Sequence, residues 1–214
     1  SKGWCRSAGD FNFARCYSKT GYPYMSSQTR FERGHDLMDD RVGSLTRQDL
    51  IEILSDHYEG TNMYRTAHSN SGYRTICSRR TVSAMVAHLK PRTPSEMQVM
   101  WYCMSSPCIG VFIPVYANVS AIPTPYLTGD APEDISGYDG YSAWWAYKKI
   151  QLLVDEDYDE RHAMVRVGWD ELYESFVSDI DQLEQELRSL YSAGEKEEAR
   201  IKMDSFVERK LTEA

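Results

Sequence analysis

The chain has 214 residues, of which 42% are hydrophobic, 26% charged and 12% aromatic, and its formal net charge is −8. That length suits one large domain with its own core, and the balance excludes disordered and fibrous classes. Beyond Val154 there are 18 acids against 8 bases, so the acidity belongs to the C-terminal region. A nucleic-acid partner, which needs clustered Lys and Arg, is not expected.

Residues 1–43 are rich in Gly, Ser, Tyr and Arg without clear periodicity. They read as an irregular segment anchored by Phe11, Phe13, Tyr17, Tyr22 and Tyr24. Thr46-Arg47-Gln48-Asp49 resembles a capping box with Asp in the usual Glu position. Leu50, Ile51 and Leu54 follow on one helical face, and the helix should stop near His57, with Gly60 as terminator.

Residues 61–73 read as a polar loop. A short strand is expected at residues 74–78. Residues 81–89 alternate, with Val82, Ala84, Val86 and His88 on one face. Two further strands are expected at residues 98–104 and 110–116, with Pro91, Pro94, Ser105, Ser106 and Pro107 between them as turn residues. The simplest arrangement is an antiparallel sheet of about four strands. Residues 122–140 form a loop rich in Pro, Gly and Asp, either a connector or part of a site.

From Tyr141 the pattern turns helical. Leu172, Phe176, Ile180, Leu183, Leu187 and Leu190 make an apolar stripe at steps of three and four, a pattern that serves core packing. Gly194 interrupts it, and Ala199, Met203, Phe206 and Leu211 continue on a second helix, so a helical hairpin is expected. Sheet first and helices after argue for an α+β fold. Residues 1–140 and 141–214 are taken as two parts of the same domain.

The cysteines are Cys5, Cys16, Cys77, Cys103 and Cys108. None lies in a CxxC pair, and Cys103 and Cys108 are poorly spaced for a structural zinc site, so buried free thiols are the default. Exported oxidised pairs are the other possibility. His57 and Glu59 stand at a helix exit. Two candidate ligands are a weak zinc signal, and a structural role in closing the helix is favoured over metal or acid–base work. No metal and no cofactor is therefore expected. Arg30 and Arg33 are expected to pair with acids or pack by their stems. No P-loop or GxSxG elbow is present, and no run of about 18 apolar residues suggests a membrane span.

Six segments in order carry a resemblance: residues 9–18 (GDFNFARCYS), 30–33 (RFER), Asp56-His57-Tyr58-Glu59-Gly60-Thr61, residues 74–83 (RTICSRRTVS), 107–116 (PCIGVFIPVY) and 142–145 (SAWW). Their succession resembles the C-terminal half of the cysteine dipeptidases of the N-terminal-nucleophile (Ntn) hydrolases, a group that includes secernins. The resemblance runs from about Gly9 to about Leu190. It implies part of a four-layer αββα sandwich, an antiparallel sheet with a C-terminal helical layer, and hydrolysis of dipeptides or related amides.

In that family the nucleophile is an N-terminal cysteine whose own α-amine acts as base. The resemblance places it outside this sequence, on a first half or a complementary partner chain, in a larger oligomer. Ser1 is not followed by the apolar strand that an N-terminal nucleophile needs, and Cys5 is internal. Arg80 is the one residue to which a catalytic role carries over, as an oxyanion or carboxylate binder at a sheet end. The substrate-binding residues are not legible. The compartment is equally open, since relatives are both cytoplasmic and exported. A different class of reading is a non-catalytic assembly subunit that keeps the fold.

Overall fold

The computed structural model describes residues 24–65, 67–68, 74–128 and 140–214. The described elements are helices α1 (Tyr24–Asp39) and α2 (Arg47–Leu54), strands β1 (Ser83–His88), β2 (Val99–Met104) and β3 (Ile113–Tyr116), and helices α3 (Ala143–Glu156), α4 (Tyr158–Ala193) and α5 (Lys196–Glu213). The class is α+β, as the order of patterns implied.

The strands form an antiparallel meander in the order β1-β2-β3. Its register pairs Val86 with Trp101 and Trp101 with Pro114, and further along His88 with Val99 and Val99 with Tyr116. Alternation therefore places Val86, Trp101, Val99 and Tyr116 on one face. That face packs on the helical hairpin: Trp101 meets Tyr173 at 5.4 Å between ring centroids, and Tyr116 meets Phe206 at 6.0 Å. The stripe on α4 supplies Phe176, Ile180 and Leu187 to the same core, and α5 adds Met203, Phe206 and Val207. Each fully buried side chain of this kind contributes roughly 1.5–3 kcal/mol. The opposite face carries Met85, Met100, Tyr102 and Val115 and is partly open, with Met85 52% exposed.

Local signals explain where the helices begin and end. Thr46 accepts the Asp49 backbone N–H at 3.2 Å while Asp49 accepts the Thr46 N–H at 2.7 Å, a complete capping box. Gly194 closes α4 with φ +83°, a left-handed cap that L side chains adopt only with strain. Inside the hairpin Lys210 is fully buried, and its ammonium is held by Asp179 at 2.5 Å and Glu213 at 2.6 Å.

Three expectations are corrected. Residues 24–39 of the supposedly irregular segment are helical. Their apolar signal is weak because α1 is a polar helix, steadied by Gln28–Glu32 at 2.8 Å and anchored through Arg33. Residues 74–78 are not a strand. The Cys77 N–H donates to the Asp56 carbonyl at 3.0 Å and Thr81 N–H closes a turn on Ser78, so no ladder forms. The described sheet accordingly has three strands instead of four. Phe11, Phe13, Tyr17, Tyr22, Cys5 and Cys16 lie outside the described residues, as do residues 129–139 of the Pro/Gly/Asp loop. None of the described helices is long and apolar enough to cross a membrane.

Candidate functional site

The turn that leaves α2 is held from both sides. Arg33 reaches from α1 to the Asp56 carboxylate, with Nη2–Oδ1 at 2.5 Å and Nε at 3.0 and 3.1 Å from the two oxygens. Asp56 also accepts the Tyr58 N–H at 2.9 Å. Tyr58 is wholly buried at φ +68°, an unusual backbone position for an aromatic residue, and its hydroxyl bonds Thr29 and the Arg74 carbonyl. This clamp turns the His57 ring inward.

His57 is 2% exposed. Its Nδ1 lies 2.9 Å from Glu59 Oε1, and its backbone N–H donates to Glu59 Oε2 at 2.6 Å. A carboxylate only accepts, so Nδ1 carries the proton. The other nitrogen, Nε2, is buried and has no hydrogen-bond partner among the described residues. Three further groups gather beside the His57 ring. His68, held at φ +59°, bonds Asp155 Oδ1 through Nδ1 at 2.7 Å. Its Nε2 lies 3.3 Å from Cys108 Sγ and 3.8 Å from Cys77 Sγ. The donor atoms of His57, His68, Cys77 and Cys108 all lie within 4.8 Å of one another.

Each ligand-type residue is delivered by a different segment. Cys77 is fixed by its bond to the Asp56 carbonyl. Cys108 sits in the tight loop between β2 and β3. There Ile109 and Gly110 N–H donate to the Ser106 carbonyl at 3.0 Å, and His162 Nε2 bonds the Cys108 carbonyl at 3.0 Å. Asp155 comes from the end of α3 and also accepts from Gln151 at 3.4 Å. Ile109, Val154, Ile150, Tyr158 and Val165 surround the group with apolar surface.

The electrostatics follow from this crowding. Burial alone would raise the Cys108 thiol, but Cys77, His57 and His68 outweigh it and bring it well below the ordinary thiol value. Burial, then Cys108, push Cys77 upward. Burial would lower His57, yet Cys108 and Glu59 raise it to about 9. His68 is raised against its own burial by Asp155 and Cys108. The arrangement favours a thiolate facing imidazoles that are each backed by a carboxylate. A cleft of about 420 Å³ adjoins the cluster, bordered by His57, Glu59, Cys108, Tyr158, Arg41 and Arg166.

Residues 8–171 match the model of peptidase family C69. The chain belongs to that family. Over 121 residues, 54% of this chain, it is 26% identical to proteins named probable dipeptidase A from Streptococcus pyogenes serotype M3 (strain SSI-1) and serotype M18 (strain MGAS8232). The chain spans about a quarter of the length of these curated relatives. The kinship with cysteine dipeptidases that the six segments implied therefore holds.

In this C69 chain the residues singled out by sequence part company. Arg80 lies in the exposed turn before β1, bordering a shallow depression of about 180 Å³ with Arg30, Arg74, Thr75 and Ser78. Arg33 pairs with an acid, as expected. His57 and Glu59, expected to close the helix, instead bond each other in the turn beyond it, and Ser55 caps α2. His68, Cys77 and Cys108 join His57 although no spacing in the sequence links them. The available signal is partial: His57, Cys77 and Cys108 fall in segments that carry the family resemblance, and His68 falls between two of them. Cys103, five positions from Cys108 in sequence, lies in the sheet core, and burial raises its thiol.

Proposed function

We propose that this chain is the C-terminal part of a cysteine-type Ntn hydrolase that cleaves dipeptides or related amides, with the nucleophilic cysteine on a first half or partner chain. The observation that carries the reading is the family match across residues 8–171, joined to similarity with proteins named as dipeptidases. Two features support it. The partly open sheet face around Met85, Tyr102 and Val115 suits the inner face of an αββα sandwich, where a second sheet would pack. The 420 Å³ cleft is in the range of small-molecule sites, and carries both arginines and acids, as a zwitterionic peptide requires.

Arg80, beside Arg30 and Arg74 in a separate depression, is the alternative place in this reading for a substrate carboxylate. The test is hydrolysis of a dipeptide panel by the full-length protein, with and without a thiol alkylator, alongside intact-mass analysis of every polypeptide present. Alkylator-sensitive cleavage with an N-terminal Cys in the sample supports the reading. A preparation that contains the first half and cleaves no dipeptide or amide overturns it in favour of a non-catalytic assembly subunit.

A further inference from the structure

We propose that His57, His68, Cys77 and Cys108 form a structural zinc site. The donor set is the first support. Two thiols and two imidazoles are the Cys₂His₂ combination that tetrahedral zinc takes, and four protein ligands leave no open position for a substrate water. Zinc bonds of ordinary length set the edges of such a tetrahedron at about 3.3–3.8 Å. The His68 Nε2 contacts to Cys108 at 3.3 Å and to Cys77 at 3.8 Å already have that scale. All four donor atoms fall within 4.8 Å, so closing on a cation needs only small shifts.

The outer partners are the second support. Zinc-bound histidines characteristically donate their other ring N–H to a carboxylate, which fixes the tautomer and aims the remaining lone pair at the metal. Both histidines here do so, His57 to Glu59 at 2.9 Å and His68 to Asp155 at 2.7 Å. The third support is the orphan. His57 Nε2 is buried with no hydrogen-bond partner among the described residues, a costly condition that a cation relieves. Two thiolates neutralise the charge of Zn²⁺, so the filled site suits its apolar wall of Ile109, Val154 and Val165.

The consequence is architectural. The cation would tie the turn after α2, the segment at His68, the segment at Cys77 and the loop entering β3 to one point, and through Asp155 to α3. It would set the wall of the adjoining cleft without taking part in chemistry there. This assignment stands independently of the proposed hydrolase activity.

Metal analysis of the full-length protein, expressed untagged and purified without chelator, tests it. About one zinc per chain is expected. Apoprotein refilled with Co²⁺ should show the visible bands of a tetrahedral site together with thiolate-to-cobalt charge transfer. Cys77→Ser and Cys108→Ser should each weaken the charge-transfer band, whereas Cys103→Ser should leave it. Glu59→Gln should lower zinc affinity about 10- to 100-fold, measured by chelator competition, while saturating zinc restores full occupancy. If a cysteine variant fails to fold, the wild-type metal content and cobalt spectrum decide. Wild-type protein that takes up neither metal, or has Cys77 and Cys108 joined as a disulfide, overturns the proposal. So does zinc that stays bound after both thiols are removed.

Discussion

Arg33 and Asp56, 23 residues apart, are joined by a forked ion pair whose shortest contact is 2.5 Å, and that pair sets the direction of the next residue, His57. Arg33→Ala leaves a carboxylate that is 6% exposed without its counter-charge. A loss of about 3 kcal/mol is expected, at the low end for a broken buried pair because the Tyr58 N–H still bonds Asp56. Arg33→Lys keeps the charge but loses the fork, and should cost about 1.5 kcal/mol. Urea denaturation of both variants measures the difference, and equal losses would count against the fork.

Gly110 lies where the β2–β3 loop presses on the strand it leaves. A Cβ there would stand 2.5 Å from Cys103 Sγ and 2.9 Å from the Met104 carbonyl oxygen. Gly110→Ala should therefore destabilise by roughly 1–3 kcal/mol through overpacking. Adding Cys103→Ala removes the sulfur and should recover part of that loss. A double-mutant cycle reads the coupling, which would be absent if the backbone contact alone mattered.

His88, at the end of β1, should titrate below the ordinary histidine value. Partial burial lowers it first, then the positive charges of Lys90 and Arg47, against the opposing pull of Glu184 and Asp181. A histidine with a depressed native pKa takes its proton first in the unfolded chain. Its contribution is intact above the unfolded value of about 6.5 and is lost as pH falls through the native one. An NMR titration of the ring should give a midpoint under about 6.5, and Lys90→Gln should raise it.

Arg80 is exposed and shares its depression with Arg30 and Arg74. If it binds a substrate carboxylate in the assembled enzyme, Arg80→Ala should raise KM about tenfold with kcat little changed, the signature of lost ground-state binding. A fall in kcat at constant KM would instead assign it to the transition state. Unchanged kinetics would leave it a surface arginine.

The histidine and cysteine cluster shows how far local pattern reaches. His57 and Glu59 stand out in sequence because they follow a capped helix within a few residues. His68 falls in a stretch whose composition says only polar loop. Cys108 reads as one member of a pair with Cys103, yet strand alternation sends Cys103 into the core beneath the hairpin. The true neighbour, Cys77, is reached because its segment folds back, held by its own N–H on the Asp56 carbonyl, by Tyr58 on the Arg74 carbonyl and by Ser106 on the Ser78 carbonyl. The strand expected around Cys77 fails for the same reason: its backbone donor is used by that turn.

The sequence by itself determined the elements whose causes are short-range. The Thr46–Asp49 capping box, the apolar stripe from Leu172 to Leu190, its stop at Gly194 and the alternation of β1 each depend on residues a few positions apart. The family kinship was legible too, in the order of six segments. Only the tertiary structure decided that His57, His68, Cys77 and Cys108 meet, with Glu59 and Asp155 behind the imidazoles. Those six groups span from residue 57 to residue 155, and their approach depends on loops bent by packing and by buried ion pairs. Periodicity carries no information at that range, because what brings the donors together is where the chain returns after each turn.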